Sequence, residues 1–442
     1  MKKIAVLVLA LFFTTPVFSQ FDFNDQDAGM LQGGLGTSWI NGSPYFTFRF
    51  RPEVAVGKFG MGLDLNLEFN GDGIRAEDFK TVGDYLAIIR YIRWGHKHDP
   101  LYIRVGALDY ATLGYGNIMY MYNNSPSFDA RTIGLSFDFD TDKFGLETVY
   151  SNFAEPGVLG VRGFFRPLKF TAIGDIPIIG GLEVGASYAT DFNKNAAVLG
   201  GYTDANGKFV DTLTTDRPQI VSADVGLPLF KNSIFDAKLY YAFTKILDYG
   251  QGQSYGLLFN MNFPILDIKL KFERTMNGKQ YLPSYFDALY ELDRFSYSNN
   301  SISSKLAKLQ NADLEDDNGW YGGLLVRVLG TFDIRGSYQR LEKSPNSGLL
   351  HLGTEVAPAG MPFLFRAGYD KTDIGGETEI FKLDDRSLFF TELGYKPYPF
   401  LIVSMVYKWT FQPVYDANDA IISYEPQKRI EPRVSFVYPL DF

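Results

Sequence analysis

Residues 45–54 read Tyr45-Phe46-Thr47-Phe48-Arg49-Phe50-Arg51-Pro52-Glu53-Val54, and apolar side chains alternate with mostly polar ones along this stretch. Successive side chains of a β-strand point to opposite faces, so the stretch predicts a strand with one apolar and one polar face. The same alternation recurs at 61–70, 133–140, 235–244 and 268–273. The pattern predicts an all-β protein whose strands have one face in water and the other in apolar surroundings.

The predicted strands are numerous and long. We expect about 20 of them, with 16–22 possible, and most are near the ten or so residues that a tilted strand needs to cross a bilayer. They are 31–40, 45–56, 61–70, 84–94, 101–108, 132–140, 145–153, 158–167, 182–191, 220–229, 234–245, 253–262, 267–276, 319–329, 331–342, 349–356, 363–372, 386–395, 400–411 and 430–442.

The connections between these strands alternate in length. From the second strand onward, every second connection is short, with 168–181 as the exception. The other series contains the long loops 109–131, 192–219, 277–318, 373–385 and 412–429. Short turns at one end and long loops at the other are typical of barrels that cross a membrane.

The N-terminus has the three-part pattern of a secretory signal peptide. Lys2 and Lys3 precede the apolar run Ile4–Phe13, and Val17 and Ser19 are the small residues before the cut. The apolar run is too short to span a bilayer, which takes roughly 20 residues. The sequence therefore predicts a signal peptide at 1–19, cut near Ser19, and a mature chain at 20–442.

The C-terminus alternates up to a terminal aromatic residue. Val434, Phe436, Tyr438, Leu440 and Phe442 share one face. Here the sequence resembles bacterial outer-membrane β-barrel proteins, at the level of the porin-like class, whose last strand typically ends in an aromatic residue that serves as an assembly signal. Pro439 departs from a regular strand, which is tolerated near a strand end.

The resemblance implies a transmembrane antiparallel up-and-down β-barrel with short periplasmic turns and long extracellular loops. It implies a location in the bacterial outer membrane after export through the inner membrane, with outer-membrane lipid and the outer-membrane assembly machinery as partners. It also assigns the assembly signal to Phe436, Tyr438 and Phe442.

The apolar face of such a barrel must point outward, because about twenty strands enclose a lumen too wide for side chains to fill. The polar face then lines water, and closure pairs the backbone groups that lipid cannot satisfy. Strand parity assigns these pore-lining residues: Arg49, Arg51, Glu53, Asp64, Glu68, Arg90, Arg104, Asp138, Arg162, Asp236, Lys238, Lys269, Lys271 and Glu273. Parity puts Arg93 on the face opposite Arg90. The alternative is that these charged residues form salt bridges with one another along the wall and only keep the lumen hydrated.

The loop 109–131 is too apolar to be left in water. We expect it to fold inward as a constriction, since methionine adapts to irregular surfaces and tyrosine offers both a ring and a hydroxyl. Its residues are Asp109, Tyr110, Tyr115, Met119, Tyr120, Met121 and Tyr122. Asp109 or the tyrosine hydroxyls would bond to nearby arginines. The alternative is an outward extension of the flanking strands.

Composition narrows the function. A net charge of −9 argues against nucleic-acid binding, and the chain has no Cys and only three His. No catalytic motif is present, so we expect no enzyme activity, no cofactor and no metal site.

The leading hypothesis is a channel for passive transport of small hydrophilic solutes through a charged lumen. The alternatives are a gated transporter for hydrophobic or aromatic compounds and a structural barrel that anchors a partner complex. Solute and oligomeric state stay open.

Overall fold

The computed structural model describes residues 29–75, 79, 85, 88–97, 99–127, 129–176, 178–311, 316–329, 331–356 and 361–440. The side chains of 29–32, 311 and 437–440 are not described. The predicted signal peptide and Phe442 therefore lie outside the described residues.

The described chain is mostly β-strand. The strands are β1 (Gly29–Ile40), β2 (Ser43–Val56), β3 (Phe59–Leu63), β4 (Leu65–Asn70), β5 (Gly73–Ile74), β6 (Ile89–Trp94), β7 (Leu101–Gly106), β8 (Gly134–Asp140), β9 (Phe144–Tyr150), β10 (Val158–Phe165), β11 (Glu183–Asp191), β12 (Val198–Thr203), β13 (Phe209–Thr214), β14 (Gln219–Lys231), β15 (Phe235–Ile246), β16 (Gln251–Phe263), β17 (Leu266–Asn277), β18 (Ser296–Ser298), β19 (Ser301–Ser303), β20 (Asp317–Val328), β21 (Phe332–Leu341), β22 (Gly348–Val356), β23 (Phe363–Ile374), β24 (Ser387–Tyr398), β25 (Leu401–Tyr415) and β26 (Ile421–Leu440).

Helices are short and lie in connections. Those whose bounds fall in the described ranges are the α-helices α1 (Tyr290–Asp293) and α2 (Lys305–Asn311), and 3-10 turns at Pro167–Phe170, Ile179–Gly181, Lys194–Ala197 and Glu377–Glu379. Within the described ranges, no helix is both long enough and apolar enough to cross a membrane.

The strands form one closed antiparallel barrel. Each wall strand pairs with its neighbours in the chain, and β1 closes the sheet by pairing with β26, with Gly33 opposite Phe436. β3 and β4 together make one wall strand, while β5 only extends β4, and the hairpins β12–β13 and β18–β19 lie outside the barrel sheet. The described residues thus give a 20-stranded barrel, which confirms the predicted fold class and strand number.

Strand β2 shows how the predicted alternation is used. Phe46 is 62% exposed on the outer face, whereas Arg49, three residues further on, is 6% exposed on the inner face. A soluble barrel would bury the phenylalanines instead. The apolar exterior and polar interior are those of a barrel that sits in lipid.

Two strand predictions are wrong. The predicted loop 412–429 is mostly strand, because β25 and β26 stay paired beyond the expected ends, up to Tyr415 opposite Ile421. The predicted strand 61–70 is interrupted at Asp64, whose backbone N–H donates to the carbonyl of Ile88 (2.7 Å) instead of to the ladder.

A β-bulge in β6 corrects the predicted direction of one arginine. Leu63 pairs with Ile89 and Gly62 pairs with Tyr91, so Arg90 has no partner in the β3 ladder. A bulge places two successive residues on one face. Consequently Arg90 and Arg93 both lie inside the barrel, although strand parity put them on opposite faces.

Candidate functional site: the barrel interior

The structure places all fourteen predicted pore-lining residues on the inner side of the wall, and it pairs many of them with opposite charges. Arg51 binds Asp64 through Nε at 2.6 Å, and Lys271 lies 3.7 Å from Glu273. The remaining members are spread around the circumference rather than gathered in one cluster. The interior is therefore a network of ion pairs, not one of bare charges.

Arg162 is the most heavily bonded of these residues. Its guanidinium contacts Glu147 at 2.8 Å, Glu183 at 2.8 Å and Asp224 at 2.6 Å. Gly114 of the inward loop lies directly against it, with a left-handed backbone (φ +56°), and a Cβ at Gly114 would come 2.7 Å from the Arg162 side chain. The wall and the loop are fitted to each other at this point.

The loop 107–133 folds into the barrel and crosses it. On one side, the Gly114 amide donates to Glu147 (2.7 Å), and Asn117 bonds to Ser254 on β16. On the opposite side, the Ser127 hydroxyl donates to the carbonyl of Phe411 on β25 (2.8 Å). The loop thus spans the lumen from wall to wall, where the sequence predicted only that it would turn inward.

The predicted constriction residues contact different parts of the wall. Tyr110 packs edge-on against His351 of β22, with ring centres 4.8 Å apart. Tyr120 bonds to Tyr321 of β20, and Met121 accepts a weak bond from Ser337 of β21 at 3.9 Å.

Tyr122 and Met119 turn instead toward a second loop. Tyr122 donates to Glu291, and Met119 pairs with Phe286 in an isolated bridge. Tyr110 and Met121 adopt left-handed backbone (φ +61° and +54°), a strained conformation that persists only where the surroundings hold it.

Lys271 connects the middle of the loop to the wall. Its Nζ donates to the carbonyl of Tyr115 (2.7 Å) and lies 4.8 Å and 4.7 Å from the ring centres of Tyr120 and Tyr321. The Tyr115 ring stacks on Tyr240 at 4.2 Å, nearly parallel. One buried ammonium therefore holds both strands of the loop.

Asp109 anchors the start of the loop in the way the sequence predicted. Its carboxylate lies 3.6 Å from Arg90 and 3.6 Å from Arg104. Arg131, near the other end of the loop, binds Asp64 at 3.3 Å.

Asp129 anchors the far end of the loop. It accepts two bonds from Arg75, both at 2.7 Å, and one from Gln427 at 2.8 Å, and Arg429 lies 3.5 Å away. Burial alone would raise the pKa of Asp129, but the hydrogen bonds and charges of Arg75 and Arg429 hold that pKa below its ordinary value.

A second loop, described over 278–311, also folds inward, and the sequence did not predict this. The amide of Phe286 donates to the carbonyl of Ile118, and the amide of Tyr120 donates to the carbonyl of Phe286, both at 3.0 Å. Together the two loops build an apolar core inside the barrel against Val149, Val158, Ala189, Ile220 and Ile246 of the wall. The run of aromatic residues at 281–295 was the signal that could have indicated it.

A cavity of about 490 Å³ lies between Tyr115 and the short-turn end of the barrel. The wall strands β8–β11 and β14–β16 and the connection 166–182 line it. Phe164 forms part of this wall, with the guanidinium carbons of Arg162 and Arg166 4.8 Å and 5.1 Å from its ring centre.

The predicted assembly signal is described only in part. Phe436 is exposed on the outer face of β26. Phe442 and the side chain of Tyr438 lie outside the described residues, so the signal itself stays a prediction.

The closed antiparallel barrel, with its apolar exterior and charged interior, has the fold that the resemblance to porin-like outer-membrane β-barrels implied. The sequence matches no known family model and no curated protein.

Similar solved structures include two Pseudomonas aeruginosa proteins. OccK11 (OpdR) is 12% identical with a TM-score of 0.31, covering 94% of this chain and 96% of that one. OpdK, solved with vanillate, is 10% identical with a TM-score of 0.34, covering 93% and 98%. The carbohydrate-binding barrel Wzi of Escherichia coli is 10% identical with a TM-score of 0.35, covering 94% and 85%. Overlap at this level assigns neither a family nor a substrate.

Proposed function

We propose that this protein is an outer-membrane channel for the passive transport of small hydrophilic solutes. The short-turn end faces the periplasm, and the chain reaches the membrane after export and removal of residues 1–19. The observation that carries the proposal is the charged interior, which extends on the short-turn side of a loop that crosses the lumen. Charged groups that line a pore select solutes by sign and orientation.

The crossing loop makes this a narrow channel rather than a wide one. Barrels of 16–18 strands leave a water-filled lumen and wider ones are plugged, so a 20-stranded wall needs internal elements to restrict passage. The loop 107–133 and the described part of the second loop, 278–311, provide them, because their shared apolar core fills one side of the interior.

A gated transporter for aromatic compounds is the second candidate. It is favoured by the tyrosine cluster around Lys271, where Tyr120 and Tyr321 meet edge-on with ring centres 5.2 Å apart. Aromatic rings on the loop and on the wall could exchange partners with an aromatic solute as the loop moves.

Single-channel recording in planar bilayers tests the proposal. Deleting 114–124 removes the part of the loop that contacts β10, β16 and β20, so we expect a larger conductance and a barrel that still migrates faster in SDS before boiling. Deleting 204–207, the exposed tip of the β12–β13 hairpin, is the matched control and should leave conductance unchanged. Absence of conductance in both the full chain and the 114–124 deletion would contradict a channel. An aromatic solute that blocks the full chain while a sugar of equal size does not would favour the second candidate.

A further inference from the structure

The cavity on the short-turn side of Tyr115 contains two buried polar groups that lack a partner. Oδ1 of Asp236 accepts no hydrogen bond, although Asp236 is only 9% exposed. The hydroxyl of Tyr115 is also without a partner, and Tyr115 is only 4% exposed. Both residues line the same cavity. A buried polar group left unsatisfied costs about 1–3 kcal/mol, so such groups call for a ligand or water.

Four other carboxylates of the cavity are already engaged. Asp138 binds Lys97 at 2.7 Å, and Asp140 binds Arg166 at 2.8 Å. Glu147 and Glu183 share the guanidinium of Arg162. Asp236 differs from them because one of its oxygens is buried and still available to accept a hydrogen bond.

The charge of the cavity favours a cationic group. Eight of its lining residues are acidic and five are basic, so cations are concentrated there. Lys231 and Lys238, which flank Asp236 on the sheet, oppose this field and limit the site to one positive charge. Those lysines also favour a solute whose far end is neutral or anionic.

We propose that this cavity binds the primary ammonium group of a small solute, with the Asp236 carboxylate as its acceptor and the Tyr115 hydroxyl available to another polar group of the same solute. The ammonium carries three donors, which suits a buried carboxylate oxygen that receives no hydrogen bond. The cavity of about 490 Å³ accommodates a compound of the size of a dipeptide. This inference rests on the proposed function and names the class of solute that the channel holds.

The position of Tyr115 couples this site to the crossing loop. Tyr115 is a loop residue, and its ring closes the cavity on the long-loop side while stacking on Tyr240 of the wall. A solute arriving from the long-loop end therefore meets the ammonium site directly after it passes the loop. The site is placed to hold a solute that has cleared the constriction.

Saturation-transfer NMR on the detergent-solubilised full chain tests the proposal with three matched probes. Glycylglycine and glycylglycinamide keep the free ammonium, whereas N-acetylglycylglycine lacks it. We expect the first two to bind and the acetylated probe to bind at least about tenfold more weakly, since it loses a charge-assisted hydrogen bond. Comparing the affinities of glycylglycine and glycylglycinamide shows whether the site prefers a zwitterion or a simple amine.

Asp236→Asn keeps the shape of the side chain and removes its charge. We expect it to weaken binding of both ammonium probes about tenfold. Asp211→Asn, on the exposed β12–β13 hairpin, and Glu355→Gln, on the inner wall outside this cavity, change the protein's charge equally and should leave binding unchanged. Heat-modifiability in SDS verifies that each variant folds.

Two results would overturn the site: equal binding of the acetylated and free-amine probes to the unmodified chain, or equal binding by a folded Asp236→Asn variant. Both readouts are independent of conductance. Binding without conductance would support the ammonium site and contradict the proposed channel. Conductance without binding would support the channel and contradict the ammonium site.

Discussion

Replacing Lys271 by methionine should release the middle of the crossing loop, around Tyr115 and Tyr120. The Lys271 ammonium is buried, donates to the carbonyl of Tyr115 and faces the rings of Tyr120, Tyr321 and, at 5.8 Å, Tyr240. Methionine has a similar length and fills the same space but carries no charge and no donor. The change therefore removes the electrostatic part of the contact and preserves most of the packing.

The magnitude follows from the individual contacts. A hydrogen bond from a charged donor contributes about 1.5–3 kcal/mol, and a desolvated cation–π contact about 0.5–2 kcal/mol. Contacts between the methionine sulfur and the rings restore about 1 kcal/mol. The net loss is about 3 kcal/mol, and because each 1.4 kcal/mol is a factor of ten, the part of the loop around Tyr115 and Tyr120 should leave its docked position about a hundredfold more often.

Single-channel recording measures this directly as the fraction of time spent in a high-conductance state. Lys269→Met is the control, because it removes the same charge from the same face of β17 two residues away, nearer the short-turn end. Lys271→Met also removes the ion pair with Glu273 (3.7 Å), and Glu273 keeps its hydrogen bond from Tyr240 in both variants. If Lys271→Met folds and opens no more often than Lys269→Met, the ammonium does not hold the loop and the reasoning fails.

Three further predictions concern the wall, the terminus and the loop anchor. Leu257→Arg places a charge on the lipid-facing side of β16 and should destabilise the barrel by about 2–4 kcal/mol in chemical unfolding. Asn260 lines the inner cavity, so Asn260→Arg should cause no such loss. Equal losses of stability in the two variants would contradict the assigned faces. Phe442→Ala should lower the amount of assembled barrel in the outer membrane without altering the stability of the barrel that does assemble, and normal surface levels would argue against the assembly signal. The pKa of Asp129 is lowered, so its ionised carboxylate stabilises the docked end of the loop fully above the ordinary carboxyl pKa of about 3.9. This stabilisation is lost as the pH falls through the lowered pKa. Channel opening should therefore stay constant from pH 7 to pH 5 and increase only below about pH 4, and an increase above pH 5 that disappears in Asp129→Asn would contradict this.

The wall of the barrel could be predicted from the sequence because period-two alternation is a local signal. Phe46 and Arg49 are placed by strand parity alone, and nothing beyond their neighbours is needed to decide which face each occupies. The true end of β25 could not be predicted from the sequence. The pairing of Tyr415 with Ile421 depends on the register of the partner strand and not on local composition.

The direction of Arg93 could not be predicted for a related reason. The bulge at Arg90 is a property of the pairing between β3 and β6, so the residues of one strand do not show it. Once the bulge is known, both arginines face inward, and the interior of this part of the wall is more basic than parity indicated.

The interior was predicted in part. The apolar content of 109–131 was enough to predict an inward loop, since such a segment needs a surface to cover. Its partner could not be named, because Met119 and Phe286 are 167 residues apart and their contact depends on the closed barrel. The inward fold of the second loop could not be predicted for the same reason, because its aromatic residues pack against the first loop.

The shared apolar core gives the two loops a role in stability as well as in passage. A 20-stranded wall encloses more space than its own side chains fill, and the interior side chains of Ile220 and Ile246 are covered only because the loops pack on them. Opening the channel fully would expose these residues to water, at roughly 1.5–3 kcal/mol for each large side chain. The loop 107–133 therefore cannot leave as a whole at low cost. The movement most compatible with this structure is a local one around Tyr115 and Tyr120, where ion pairs and rings, rather than the apolar core, hold the loop to the wall.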